Sequence, residues 1–350
     1  MSGELTYGEI IHQPDAWEDA LRAFAGLETA VRDAWARLGC RNVVFTGCGS
    51  THYLSLTAAA LFRELTGIPA CGVPASEILF FDGALPDPAA TLLIAVSRSG
   101  TTTETLAAID HFRARGGAAV WVVTCHPESP LAAAADMVLP AVAAREESVA
   151  QTRSFASMLM LCQALAACIG GAEWRALELV PDLGRELIAH SEPLAQTVGH
   201  RLSDARLYFL GSGLRYGLAS EAMLKMTEMS LTVAQAFHFL EFRHGPMSMV
   251  EPNTQIIGLL SAEEAAHERA VLHEMQAFGA STLVLDPTGD AGRATWHIDL
   301  PGDLPTWALA ILYLPPLQLL AYYRALAKEL DPDRPRNLSA VIHLDAEKLR

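Results

Sequence analysis

Val43-Val44-Phe45-Thr46-Gly47-Cys48-Gly49-Ser50 is an apolar run that enters a Gly-x-Gly turn, and Leu207-Tyr208-Phe209-Leu210-Gly211-Ser212-Gly213-Leu214 repeats the design 164 residues later. The repeat extends downstream. Ser97, which opens Ser97-Arg98-Ser99-Gly100-Thr101-Thr102-Thr103-Glu104, lies 50 residues after Gly47, and Ser261, which opens Ser261-Ala262-Glu263-Glu264, lies 50 after Gly211. A fixed offset of this kind implies two like domains, of which only the first keeps a hydroxyl-rich glycine loop. That loop is suited to an anion; its acidic counterpart is diverted to other work.

Working outward, apolar strand candidates alternate with helical stretches: Val43–Thr46, a helix over 53–66, Pro69–Val73, Thr91–Val96, a helix over 103–115, Ala118–Val123 and Met137–Pro140. The second copy follows the same order, with Leu207–Leu210, a helix over 219–231, Gln255–Leu260, a helix over 263–278 and Ser281–Leu285. Continuous apolar strands between amphipathic helices predict α/β architecture, with parallel sheets covered on both faces in doubly wound layers. Ligands are then expected at the carboxyl ends of the strands. Trp17, Leu21, Phe24 and Leu27 at helical spacing mark a helical preface over 1–38 that packs on the first domain. The domains are read as 39–185 and 186–330, followed by an irregular tail over 331–350, where Asp331-Pro332-Asp333-Arg334-Pro335 excludes regular helix.

With 25 basic and 40 acidic residues the net charge is -15, which leaves no basic surface for nucleic acid. A small anionic metabolite met by a local pocket fits better than a polymer. The six cysteines show no metal-ligand or C-x-x-C spacing and read as reduced, buried thiols. The start Met1-Ser2-Gly3-Glu4 lacks a signal-peptide pattern and no unbroken apolar run reaches about 18 residues, so the expectation is a soluble, cytoplasmic protein without a membrane segment.

Three segments carry candidate chemistry. Gly47-Cys48-Gly49-Ser50 follows a strand and opens a helix, where backbone N–H groups and the helix dipole favour an anion; it lacks the third glycine of a dinucleotide fingerprint. Ser97, Ser99, Gly100 and Thr102 end the most apolar strand and begin a helix, which reads as a phosphate cradle, with simple N-capping the alternative. In Glu221-Ala222-Met223-Leu224-Lys225-Met226-Thr227-Glu228 the three charges fall within roughly 60° of one another on a helical wheel. Such a stripe faces either solvent, as an ion-pair ladder, or a polar cavity, where a carboxylate beside an ammonium is placed as a general base. His244 precedes a Gly-Pro turn in Glu241-Phe242-Arg243-His244-Gly245-Pro246 and is a candidate acid/base.

Together these motifs resemble the sugar-isomerase (SIS) domain proteins, in layout nearest the isomerase half of glucosamine-6-phosphate synthase and the SIS-type glucosamine-6-phosphate deaminases. The resemblance covers nearly the whole chain, from Glu9-Ile10-x-x-Gln13-Pro14 through the segments above to Pro335-Arg336-Asn337-Leu338. It implies tandem flavodoxin-like SIS domains, with a sugar phosphate held by Ser97, Arg98 (glutamine in the synthase), Ser99 and Thr102. Ser50, Thr51 and backbone around Val149 would line the sugar. By the same resemblance Glu228 moves a proton between C1 and C2, Lys225 sits beside it, and His244 assists ring opening from the neighbouring subunit of a homodimer with shared active sites. No metal or organic cofactor is implied.

Two departures from the synthase pattern shape the expected activity. The chain begins directly before the preface helix, so no N-terminal cysteine or glutaminase domain is expected, and Ser339-Ala340 stands where the synthase tail carries a lysine. The expected function is therefore an aldose–ketose isomerase/deaminase that converts glucosamine 6-phosphate to fructose 6-phosphate and ammonia. Isomerisation or deglycation of another sugar phosphate is the first alternative. A non-catalytic sugar-phosphate sensor is the second.

Overall fold

In the computed structural model, which describes residues 2–202, 206–290, 292–339 and 344, the preface is two helices, α1 (Glu4–Ile11) and α2 (Gln13–Leu38). Pro14 sits in the first turn of α2, where a missing N–H costs nothing, and Gly39 in left-handed conformation ends it. The chain divides into two compact units, one of residues 12–146, 151–181 and 339–350, the other of residues 1–11, 147–150 and 182–338. The preface therefore does not pack on the first domain as a whole. Ile10 of α1 is buried with Ile188, Leu319 and Tyr322 of the C-terminal unit.

The first unit holds β1 (Asn42–Gly47), α3 (Ser50–Thr66), β2 (Ala70–Pro74), α4 (Ala75–Phe80), β3 (Thr91–Ser97), α5 (Thr103–Ala114), β4 (Ala119–Thr124), α6 (Pro130–Ala133), β5 (Met137–Pro140) and α7 (Arg153–Gly170). All five strands are parallel, in the order β2-β1-β3-β4-β5. Every residue of β3 is buried, as a central strand covered on both faces requires. The order reverses between β1 and β3, and this switch point opens a crevice at their carboxyl ends. Helix α7 is long and apolar enough to cross a membrane by length and composition, but 83% of it is buried. It packs against α2 and α3 as the core helix of this unit.

The second unit repeats the plan with α8 (Val180–Arg201), β6 (Leu207–Gly211), α9 (Arg215–Ser230), β7 (Ala234–Phe237), α10 (Phe239–Phe242), β8 (Gln255–Leu259), α11 (Ala265–Ala277), β9 (Ser281–Asp286), β10 (Trp296–Asp299), α12 (Thr306–Leu309) and α13 (Leu314–Ala327). Its sheet order, β10-β9-β8-β6-β7, places the switch point between β6 and β8. Strands β7 and β10 have no counterpart in the sequence reading. Both are four-residue edge strands without a continuous apolar run, so neither carries the signal of a buried strand. Asp331 to Ser339 is irregular, as its prolines require, and Ala340 lies outside the described residues. The cysteines are free. Cys125, Cys162 and Cys168 are buried, but Cys71 is exposed because β2 is an edge strand.

Asp286, fully buried at the end of β9, ties that strand to its neighbours. Its carboxylate accepts bonds from the Thr288 N–H (2.7 Å) and hydroxyl (2.8 Å) and pairs with Arg269. Burial alone would raise its pKa; the Thr288 bonds and the Arg269 guanidinium outweigh burial and hold it below the usual aspartate range. A depressed folded-state pKa stabilises the fold above the ordinary aspartate value of about 3.9 and is lost as pH falls through the folded value. Asp286→Asn should therefore cost about 3 kcal/mol at pH 7 by leaving Arg269 short of its partner. Thermal melts should show the gap between variant and parent closing as the pH drops below the aspartate range; a gap independent of pH would refute this account.

Candidate functional site

At the first switch point the chain makes its turn by excluding a side chain. A Cβ on Gly47 would lie 2.4 Å from Thr51 Oγ1 and 2.8 Å from the Thr51 carbonyl carbon, while Gly49 sits at φ 58°. The Cys48 N–H donates to Thr51 Oγ1 (2.9 Å), which in turn donates to the Cys48 carbonyl (3.0 Å). The Thr51 hydroxyl thus closes the turn rather than standing open to a ligand. Ser50 opens α3 beside it. Burial pushes the Cys48 thiol up to about 11, so it is a protonated, weakly nucleophilic neighbour.

The hydroxyl loop follows β3. Ser97 Oγ and Thr102 Oγ1 lie 3.2 Å apart, the Gly100 N–H donates to Ser97 Oγ (3.1 Å), and the Thr101 N–H donates to Ser99 Oγ (3.2 Å). Thr102 is the N-cap residue of α5, yet its side chain makes no capping bond. It turns instead toward Ser97, so capping does not account for the cluster. Arg98 is directed elsewhere. Its side chain is 9% exposed, and its guanidinium lies 3.4 Å from Glu146. The Glu146 carboxylate also accepts from the Thr152 N–H (2.7 Å) and hydroxyl (2.9 Å) and the Ser154 N–H (3.1 Å), which pins the base of α7.

Val149 belongs to the short segment that groups with the C-terminal unit. Buried Glu9 of α1 accepts the Glu147 N–H (2.7 Å), the Ser148 N–H (3.2 Å) and the Ser148 hydroxyl, and the Val149 N–H reaches the Asp333 carbonyl at 3.4 Å. Asp333 in turn caps α1 by accepting from the N–H groups of Leu5 (3.2 Å) and Thr6 (2.8 Å). Sequence reading quoted Glu9 only as part of a motif and passed over Asp333. Neither carries a periodic signal, since both act through long-range bonds to backbone.

The second switch point has the same turn with different chemistry. Gly213 again has φ 58°, and a Cβ on Gly211 would lie 2.4 Å from the Arg215 carbonyl oxygen. Arg215, 164 residues after Thr51, is 6% exposed and pairs with Glu263 at 3.5 Å. The Ser261 N–H (2.6 Å) and hydroxyl (3.0 Å) donate to Glu268, which lies 164 residues after Glu104. An internal carboxylate therefore takes the donors that the loop would offer an anion. Burial raises Glu268, against the Ser261 bonds and Arg215. Sequence reading registered the acidic loop and missed Arg215 and Glu268, which the offset itself could have flagged.

Helix α9 carries the charged stripe, and the stripe is not a surface ladder. Glu221 and Lys225 side chains are each 2% exposed and 3.4 Å apart. Lys225 Nζ donates to Glu228 at 2.5 Å, and Glu228 remains 19% exposed. The ammonium is thus held between two carboxylates, of which only Glu228 reaches the surface of the unit. His244 is exposed on the loop after α10, its N–H bonded to the Glu241 carbonyl (3.0 Å), with Gly245 at φ 126° behind it.

Two doubly wound domains in tandem, one with a hydroxyl loop at its switch point and the other with a half-open carboxylate backed by a buried lysine, define an α/β protein built as a repeat. The SIS domain family matches residues 38–168 and 202–328, and the chain belongs to it. Its relatives include a glutamine–fructose-6-phosphate aminotransferase (isomerizing) of Symbiobacterium thermophilum, 31% identical over 363 residues that cover 96% of this chain and 58% of that protein. The chain spans a little over half the length of such relatives. Among solved structures, a glucosamine-6-phosphate deaminase of Thermotoga maritima is 28% identical with a TM-score of 0.80, over 97% of this chain and 100% of that one. A tagatose-6-phosphate ketose/aldose isomerase of Escherichia coli, 24% identical over 95% of each chain, shares the fold with a TM-score of 0.86.

The turn geometry makes a direct prediction. Gly47→Ala and Gly211→Ala should each lose about 1–3 kcal/mol to overpacking, whereas Gly8→Ala, where a Cβ meets nothing within 4 Å, should be neutral or slightly stabilising. Melting curves of the three variants decide it; a tolerated Gly47→Ala would show that the turn can relax.

Proposed function

We propose that this protein is a phosphosugar isomerase/deaminase that converts glucosamine 6-phosphate and water to fructose 6-phosphate and ammonia. The observation that carries the reading is Glu228 held by Lys225 at 2.5 Å, with Lys225 fixed from its other side by buried Glu221. Burying an ammonium is a poor way to stabilise a helix, because desolvation offsets most of the Coulomb gain. A carboxylate set beside a fixed ammonium and left partly open is placed as a general base would be.

In the proposed sequence His244 assists ring opening, and Glu228 takes the C2 proton of the open aldehyde as the carbonyl oxygen is protonated, which gives an enolamine. The proton returns to C1, leaving an imine at C2. Water adds there and ammonia leaves, so the sugar gains a carbonyl oxygen and loses its nitrogen. Ser97, Ser99 and Thr102, with N–H groups at the start of α5, bind the phosphate. Arg98 acts from behind the loop as a buried positive charge, Ser50 and the backbone at Val149 border the sugar, and Thr51 shapes the turn. No metal or organic cofactor is required. The exposure of His244 fits a homodimer in which that histidine serves the neighbouring subunit.

Similarity to the Thermotoga deaminase along its full length supports deamination over transfer of an amino group. Ammonia release from glucosamine 6-phosphate, coupled to detection of fructose 6-phosphate, is the direct assay. Glu228→Gln should lower kcat by about 10²- to 10⁴-fold and lower the melting temperature, because buried Lys225 keeps only Glu221 as a charged partner, with little change in phosphosugar affinity. Absence of turnover in the parent, or full turnover in the variant, would overturn the proposal.

A further inference from the structure

A cavity of about 520 Å³ opens in the C-terminal unit between α8 and the end of edge strand β10. None of its lining residues enters the phosphosugar reading. Its origin lies in the asymmetry of the repeat. Helix α8 starts 164 residues after Ala16 of α2 and precedes β6 as α2 precedes β1. In the first unit the chain leaving edge strand β5 folds back as Val142–Ala144 and packs on α2, with Ala141 and Ala144 buried. After β10 the chain runs on through Leu300-Pro301-Gly302, and the space beside the helix is left open.

The volume is that of a small-molecule site, and the wall has the mixture such sites show. Leu183, Leu187 and Leu194 from the helix and Ile298 and Leu300 from the strand supply apolar surface. Glu186, His190, Ser191, His297 and Asp299 supply the polar groups; among the described residues, no lysine or arginine lines the cavity. His297 is 15% exposed and stands between Asp299, 3.5 Å from its Nδ1, and the buried Asp286, 3.6 Å from its Nε2. That Nε2 is buried and has no hydrogen-bond partner. Carboxylates at the rim and an apolar floor favour a ligand that brings a positive charge on an apolar body.

We infer that this cavity binds a small organic cation, a primary amine carried on an aliphatic or aromatic ring, with the ammonium toward Asp299 and Glu186 and the ring against the leucines of α8. The probe is cyclohexylamine, protonated at neutral pH, with cyclohexanecarboxylate as a control of equal size and opposite charge. Titrated into the full chain and followed by NMR or calorimetry, the amine should bind saturably and the carboxylate should not. Glu186→Gln/Asp299→Asn should weaken the amine at least tenfold, and Leu183→Trp, which adds bulk to the cavity wall, should abolish binding, while melting temperature and phosphosugar affinity stay at parental values. No saturation with the amine, equal binding of the carboxylate, or affinities unmoved in the charge variant would overturn the inference. The readout is direct binding, so its failure leaves the phosphosugar proposal standing, and failure of that proposal leaves this test intact.

Discussion

The structure turns on the absence of two side chains. At Gly47 and Gly211 the first turn of the following helix comes so close to the strand end that no Cβ fits, and this approach sets each helix N-terminus over its switch point. The packing is what makes the two halves alike; what each half then does depends on the residue placed at the helix start. Threonine at position 51 spends its hydroxyl on the turn itself and leaves the crevice open. Arginine at position 215 imports a charge that must be matched, and Glu263 and Glu268 match it from within.

That difference makes the two crevices chemically unlike. Filling the second crevice with its own ions removes a competing anion site and leaves α9 free to carry different groups. Its charges are then costly for the fold, since an ammonium without water needs compensation on more than one side. Glu221 supplies the buried side and Glu228 the open one. The fold tolerates the arrangement because Met226 and Met229 bury the remainder of the helix.

Strands β1, β3, β6 and β8 were legible because a strand covered on both faces must be apolar throughout, and the glycine turns that end β1 and β6 recur at a fixed offset. The edges of the second sheet were not: β7 and β10 alternate or mix polar and apolar residues, and only pairing with a neighbour makes them strands. At the site, helical periodicity placed Glu221, Lys225 and Glu228 on one face but could not say what that face meets. The family resemblance, not spacing, implied that Arg98 and Thr51 face a ligand, and no local pattern announces that Arg98 lies beside Glu146 or that Thr51 bonds the Cys48 carbonyl. Partners that come from remote segments, as Glu9 and Asp333 do for the Val149 segment, leave no local pattern to read.

The bonds from Asp333 to the start of α1 join residues 327 and 328 positions apart. Helix α1 thus receives its cap from a residue more than 300 positions downstream. Without that downstream chain α1 lacks both that acceptor and the surface of α13 against which Ile10 is buried, and closure of so long a loop must be met by contacts already formed. The C-terminal unit is therefore completed by a segment that precedes the whole first unit in the chain, a pairing of high sequence separation.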